Sequence, residues 1–122
     1  METTETLGLK LRLTSAHGII MGPGRADLLE LIAQTGSIAA AGRHMKMSYK
    51  RAWTLVESMN HTFDTALVET SKGGKEHGGA RLTPLGLSLL AAYRALETLT
   101  RQAGAEQIAI FEAALKSPPD GL

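Results

Sequence analysis

Residues Ser37–Asn60 read SIAAAGRHMKMSYKRAWTLVESMN, and the way this stretch divides decides the fold. Ser37 is placed to cap a short helix whose apolar positions Ile38, Ala41 and Met45 recur three and four residues apart. The run Ala39, Ala40, Ala41, Gly42 keeps that helix thin, so another helix can pack close against it. After Lys46 and Met47, Ser48 is the next candidate cap, and a longer helix is expected from there to about His61. With residues set about 100° apart, Glu57, Lys50, His61, Thr54, Ser58 and Arg51 fall on one arc. Leu55, Met59, Ala52, Val56 and Trp53 fill the opposite side, which Asn60 alone breaks. Trp53 and Met59 are therefore expected in the core, with Lys50, Arg51 and Thr54 projecting outward from the first turns. Two helices joined by a tight turn, the first with a small face, describe a helix-turn-helix.

The flanks supply the remaining elements. Leu7, Leu9, Leu11 and Leu13 alternate with Gly8, Lys10 and Arg12, which predicts a half-buried strand. Ser15–Gly18 reads as a turn, and Ile19, Ile20 and Met21 return as a second strand ending at Gly22, Pro23 and Gly24. Leu28, Leu29 and Ile32 are at helical spacing within Arg25–Thr35, with Gly36 as the stop. Beyond the helix-turn-helix, Leu67 and Val68 open a short strand and Ala80, Arg81 and Leu82 form its return. Between them lies SKGGKEHGGARLT, Ser71–Thr83, with two glycine pairs among Lys72, Lys75 and Arg81. Helix, helix, helix, hairpin is the winged helix-turn-helix order.

Thr83 then caps a fourth helix with Pro84 at its first position. Its Leu85, Leu89, Ala92, Leu96, Leu99 and Ala103 follow at steps of four and three, the spacing of a helix-helix seam. That seam faces either the protein's own core or a second copy. Gly104 interrupts, and Ile108, Phe111 and Leu115 mark a fifth helix. The expected organisation is a flexible N-terminus over 1–6, a winged helix-turn-helix domain with its long fourth helix over 7–103, a C-terminal helix over 104–116 and a flexible tail over 117–122. The fold class is α+β, with an N-terminal β-hairpin and a long C-terminal helix for dimerisation.

Composition narrows the function. A chain of 122 residues with 43% apolar content suits one core. It contains no cysteine, so thiolate metal sites and cysteine nucleophiles are excluded and a reducing, cytoplasmic setting is expected. Met1–Gly8 does not resemble a signal peptide, and no apolar run approaches the roughly 20 residues of a membrane span. The net charge is only +1, but its distribution is uneven. Between Arg43 and Arg81 seven basic residues (43, 46, 50, 51, 72, 75, 81) face four carboxylates (57, 64, 69, 76), and from Ala41 to Leu55 there is no carboxylate at all.

Enzyme readings fail in detail. GPGRAD, Gly22–Asp27, lies between a strand and a helix, yet Asp27 replaces the last glycine of a dinucleotide loop and would repel a pyrophosphate. GGKEHGG is not a P-loop, because Lys75 is followed by Glu76. His17, His44, His61 and His77 are scattered without metal-ligand spacing. No catalytic residue, cofactor or metal is expected, and the chain is read as a non-enzyme.

The stretches GPGRADLLELIAQTGSIAAAGRHMKMSYKRAWTLVESMN and LVETSKGGKEHGGARLTPLG resemble the N-terminal DNA-binding region of ModE-type molybdate-responsive regulators, over roughly Leu7 to Leu99. LysR-type DNA-binding heads are a looser match, sharing the GSI start and the LTPLG-like ending but not SYKRAW or the double-glycine wing. The resemblance implies that Ser48, Lys50, Arg51 and Thr54 face the major groove of double-stranded DNA and that Lys72, Gly73, Gly74 and Lys75 form the wing. Lys72, Lys75 and Arg81 would neutralise phosphates while the glycines let the backbone pass close to the sugar-phosphate rail. Arg43, from the same basic run, completes the DNA-binding set. Glu76 and His77 depart from the family's glycine-richer loop.

Full ModE-type proteins carry C-terminal oxyanion-binding domains after the long helix, and this sequence ends about twenty residues past it, so these domains are not expected here. Leu99–Leu122 offers only Arg101 and Lys116 as cations, so a molybdate site is not expected. The resulting expectation is a sequence-specific transcriptional regulator acting as a homodimer through its fourth and fifth helices, with a separate effector-binding protein as a further candidate partner and no membrane association. The alternative class is a winged-helix protein-interaction module without DNA binding.

Overall fold

Two serine caps and two glycines set the frame of the computed structural model, which describes residues 7–71 and 79–116. The elements run β1 (Leu13–Ser15), β2 (Gly18–Met21), α1 (Pro23–Thr35), α2 (Ile38–His44), α3 (Tyr49–Thr62), β3 (Val68–Thr70), β4 (Ala80–Leu82), α4 (Pro84–Ala103) and α5 (Ala105–Ala114). The expected α+β winged helix-turn-helix with an N-terminal hairpin is the fold observed. α1 starts two residues earlier than expected, because Pro23 has no N–H to leave unpaired and is accommodated in the first turn. It stops at Gly36, whose φ of 71° is left-handed and whose N–H bonds the Ile32 carbonyl. Ser37 Oγ accepts from Ala40 N–H at 3.0 Å and Ser48 Oγ from Arg51 N–H at 3.1 Å, caps that contribute about 1 kcal/mol each.

The three helices enclose one core. α1 buries Ala26, Leu28, Leu29 and Ile32, α2 adds Ile38 and Ala41, and α3 adds Ala52, Val56 and Met59. Burying Leu28, Leu29 or Ile32 stabilises the fold by about 1.5–3 kcal/mol apiece. The thin face of α2 is used as its alanines and glycine imply: a Cβ on Gly42 would lie 3.1 Å from Ala52 Cβ, so even a methyl there would need α2 or α3 to give by a few tenths of an ångström. The turn joining them is closed by Met47 N–H on the Gly42 carbonyl at 2.9 Å and passes through Lys46 at φ 58°.

β3 and β4 pair antiparallel, Val68 with Leu82, Glu69 with Arg81 and Thr70 with Ala80. Ala80 N–H also bonds the Gly36 carbonyl at 2.9 Å, which fastens the hairpin to the α1–α2 junction. Asn60, the polar break in the apolar arc of α3, fastens the other side. Its Nδ2 donates to the Val68 carbonyl at 3.0 Å, and its Oδ1 accepts from Leu67 N–H at 2.8 Å and Val68 N–H at 3.1 Å. An Asn60→Ala variant leaves these backbone groups unpaired against a buried strand and is expected to lose about 2 kcal/mol in urea unfolding. An unchanged midpoint would show that water replaces the amide.

The N-terminal segment corrects an expectation. Strand β1 begins only at Leu13, and 7–12 pair with no strand. The alternation was still meaningful, since Leu7, Leu9 and Leu11 are half-buried while Gly8, Lys10 and Arg12 are exposed. Its partner is helical: Tyr93 O–H donates to the Leu11 carbonyl at 2.7 Å, Arg101 to the Leu7 carbonyl at 3.1 Å, and Leu7 N–H to Glu112 at 3.1 Å. Burial, and then the nearby Glu97 charge, push the Tyr93 hydroxyl pKa up, which keeps its proton available to Leu11.

α4 is joined to α1 by charge as well as packing. Arg94 reaches Asp27 at 2.8 Å, Glu30 at 2.9 Å and Glu97 at 3.2 Å. Burial alone would lower the Arg94 pKa, but the three carboxylate hydrogen bonds outweigh it and raise it. Asp27, the residue that spoiled the dinucleotide reading, is thus half of an interhelical tie. The seam of α4 is only partly covered. Leu85, Leu89 and Leu96 are half-buried, whereas Ala92, Leu99 and Ala103 are exposed.

Candidate nucleic-acid interface

α3 presents its first two turns to solvent. Ser48, Tyr49, Lys50, Arg51 and Thr54 are all exposed, as is Arg43 in the last turn of α2. Ser48 Oγ is engaged as the cap acceptor and keeps its own proton as a donor. Among the described residues, the ion pairs involve Arg81 and Arg94, so Arg43, Lys50 and Arg51 have no carboxylate partner there.

The first turn of α3 holds no acidic residue. Cations at a helix N-terminus oppose the helix dipole by about 0.3–1 kcal/mol each, so Lys50 and Arg51 are placed against the stability of their own helix. An approaching anion removes that conflict. Glu57 lies about two turns further along the same face, which confines the basic part to the N-terminal half.

Arg43, Tyr49 and Trp53 meet the base of the hairpin. Together with Ser37, Ile38, Ala39, Thr70, Ser71, Gly79 and Ala80, they line a cleft of about 560 Å³. Trp53 is half-buried rather than fully in the core, because its outer side faces this cleft, where the Tyr49 ring stacks on it with centroids 6.4 Å apart. Arg81 lies beside a neighbouring cleft with Gly36 and Glu69, exposed and paired to Glu69 at 3.2 Å, which offsets part of its charge locally. Lys72, Gly73, Gly74 and Lys75, with Glu76 and His77, lie outside the described residues. The hairpin base is closed by Ser71 N–H on the Gly79 carbonyl at 2.9 Å. Tyr49 was not singled out in the sequence, although an aromatic one residue after a cap is the available signal. Among the described residues no group of three or more His, Asp or Glu could hold a metal ion, and no helix is long and apolar enough to cross a membrane.

A basic helix presented by a capped helix-turn-helix beside a hairpin defines the class of winged helix-turn-helix regulators. Residues 25–87 match the family of bacterial regulatory helix-turn-helix proteins, lysR family, and the chain belongs to it. The ModE-type resemblance is also shown. The molybdenum-pterin-binding protein MopB of Rhodobacter capsulatus is 43% identical over 112 residues, covering 92% of this chain and 39% of that protein. The molybdenum transport protein ModE of Herbaspirillum seropedicae is 51% identical over 70 residues, 57% of this chain and 26% of its own. The DNA-binding transcriptional dual regulator ModE of Escherichia coli K12 is 36% identical over 103 residues, 84% of this chain and 38% of its own. The chain thus spans about two fifths, or less, of the length of these relatives. Among solved structures, the CbnR_DBD-DNA complex superposes with a TM-score of 0.56 at 21% identity, covering 71% of this chain and 94% of that one. ArgP from Mycobacterium tuberculosis gives 0.51 at 21% identity, covering 70% and 30%. At that identity the likeness is one of fold.

Proposed function

We propose that the chain is a sequence-specific double-stranded DNA-binding transcriptional regulator of the ModE type, with α3 in the major groove and the Gly/Lys wing on the phosphate backbone. The observation that carries this reading is the first turn of α3, where Lys50 and Arg51 stand exposed and without a carboxylate partner among the described residues, against the dipole of their own helix. Ser48 and Thr54 flank them on the same exposed surface. Arg43 at the cleft and Lys72, Lys75 and Arg81 around the wing act on phosphates, and Gly73 and Gly74 allow the close approach. The names of the relatives concern molybdenum, and genes of molybdenum handling are the proposed targets.

The chain acts as a homodimer through α4 and α5. Leu99 is 61% exposed and Ile110 and Phe111 are each 67% exposed, which leaves large apolar side chains of both helices uncovered and available to a second copy. Two identical α3 helices then meet half-sites about 34 Å apart or a multiple of that spacing. Sedimentation is expected to give a dimer at micromolar concentration, and Phe111→Glu a shift toward monomer. A wild-type monomer both free and on DNA contradicts the assembly.

The test of the reading begins with selection of a duplex from a randomised pool by the full chain. Arg51→Ala is then expected to lose about 1–3 kcal/mol on the selected duplex and much less on random DNA, whereas Lys75→Ala weakens both similarly. Thermal stability of Arg51→Ala should be unchanged or slightly higher, since a cation leaves the first turn. Equal losses on both duplexes for Arg51→Ala would remove it from base reading.

A further inference from the structure

We infer that Tyr49, held by its stack on Trp53, is a specificity-determining residue that reads the C5-methyl group of a thymine within the half-site contacted by α3. The inference rests on the DNA-binding reading above and adds to it an apolar contact that the basic residues cannot make.

Tyr49 occupies the first position of α3, directly after the Ser48 cap, the end of a recognition helix from which side chains reach base edges. It is 57% exposed, and one face of its ring is covered by a neighbour. It lies against Trp53 with an interplanar angle of 21° and centroids 6.4 Å apart, an offset stack. Trp53 is in turn half-buried and packed against the core. A side chain restrained by such a stack gives up less rotamer freedom on docking than an unsupported one, so more of the contact's free energy is kept. The ring flanks the α3 face that carries Lys50 and Thr54, on the side of the cleft shared with Arg43 and the hairpin base.

An exposed aromatic surface beside a basic helix has two candidate uses on DNA. Its hydroxyl can bond a phosphate, or its ring can cover an apolar group in the groove. In the major groove the one apolar group is the thymine methyl, which distinguishes thymine from every other base. The stack favours the ring, because it fixes the plane of the tyrosine and leaves an apolar wall continuous with the indole.

Burying one methyl group corresponds to about a fourfold change in affinity. The experiment takes the duplex selected by the full chain from a randomised pool and replaces each thymine in turn by deoxyuridine, which removes only that methyl. Wild type is expected to lose about fourfold at one thymine per half-site. Tyr49→Ala should flatten the scan at that position while retaining binding to the duplex, and Tyr49→Phe should keep the methyl preference. Circular dichroism and thermal unfolding of both variants control for folding, which the exposure of Tyr49 protects.

A flat scan with wild type overturns the inference and leaves the DNA-binding reading intact. A uniform loss with Tyr49→Phe on selected and random duplexes also overturns it, because the hydroxyl then serves a phosphate. If no duplex is selected at all, the DNA-binding reading itself fails and the inference falls with it.

Discussion

A fourfold rise in salt, from roughly 50 to 200 mM, is expected to weaken duplex binding by about a thousandfold. In the proposed dimer each copy carries Arg43, Lys50, Arg51, Lys72, Lys75 and Arg81, the cations proposed to face DNA. If half the cations of a dimer neutralise phosphates, about six contacts release counterions, and the logarithm of affinity falls with a slope near −5 against the logarithm of salt. Arg81 contributes least, because Glu69 already compensates it at 3.2 Å. Fluorescence anisotropy across that salt range reads the slope directly. A slope near zero would assign the basic surface to another partner and favour the protein-interaction alternative.

Gly86→Ala is expected to destabilise the fold by about 3 kcal/mol, the upper end of what overpacking usually costs. α4 starts against the chain entering β3. Thr83 O–H donates to the Ala66 carbonyl at 2.7 Å, Thr83 N–H to the Leu67 carbonyl at 2.9 Å, and Gly86 N–H returns to Thr83 Oγ1 at 3.0 Å. A Cβ on Gly86 would overlap the Leu67 carbonyl oxygen, a backbone atom that cannot swing aside. The cost therefore falls on the junction that sets the angle between the wing hairpin and α4. Gly24→Ala supplies the control, since a methyl there meets nothing within 4 Å and Gly24 is not among the glycines at positive φ. It should stabilise α1 by about 0.5 kcal/mol through the unfolded state. Urea unfolding of both variants should move the midpoints in opposite directions, and equal midpoints would contradict the contact at Gly86.

How much of this was legible depended on whether the cause was local. Ser37, Ser48 and Thr83 announced their caps because a cap is an interaction within three residues, and each bond is made. The alanines and Gly42 announced a close helix contact because residue size is visible in sequence. Asn60 was legible only as an exception: its role needs β3, eight residues on, to come alongside α3. Arg94 could not be paired with Asp27 across 67 residues of sequence, nor could Gly86 be matched with the Leu67 carbonyl. Leu7–Leu11 had the right period and the wrong partner, since a half-buried extended segment alternates against a helix as it does against a strand. In the interface, the outward set of α3 followed from the helical period, whereas the exposure of Tyr49 and the partial burial of Trp53 depended on where the hairpin base came to rest.

The central claim is that α3 reads base sequence in duplex DNA, and the specificity ratio at physiological salt tests it most directly. The full chain is titrated onto the selected duplex and onto a scrambled duplex of equal length and composition. At least about a thousandfold preference for the selected sequence is expected. Equal affinity for the two duplexes, or no measurable binding to either, would contradict it.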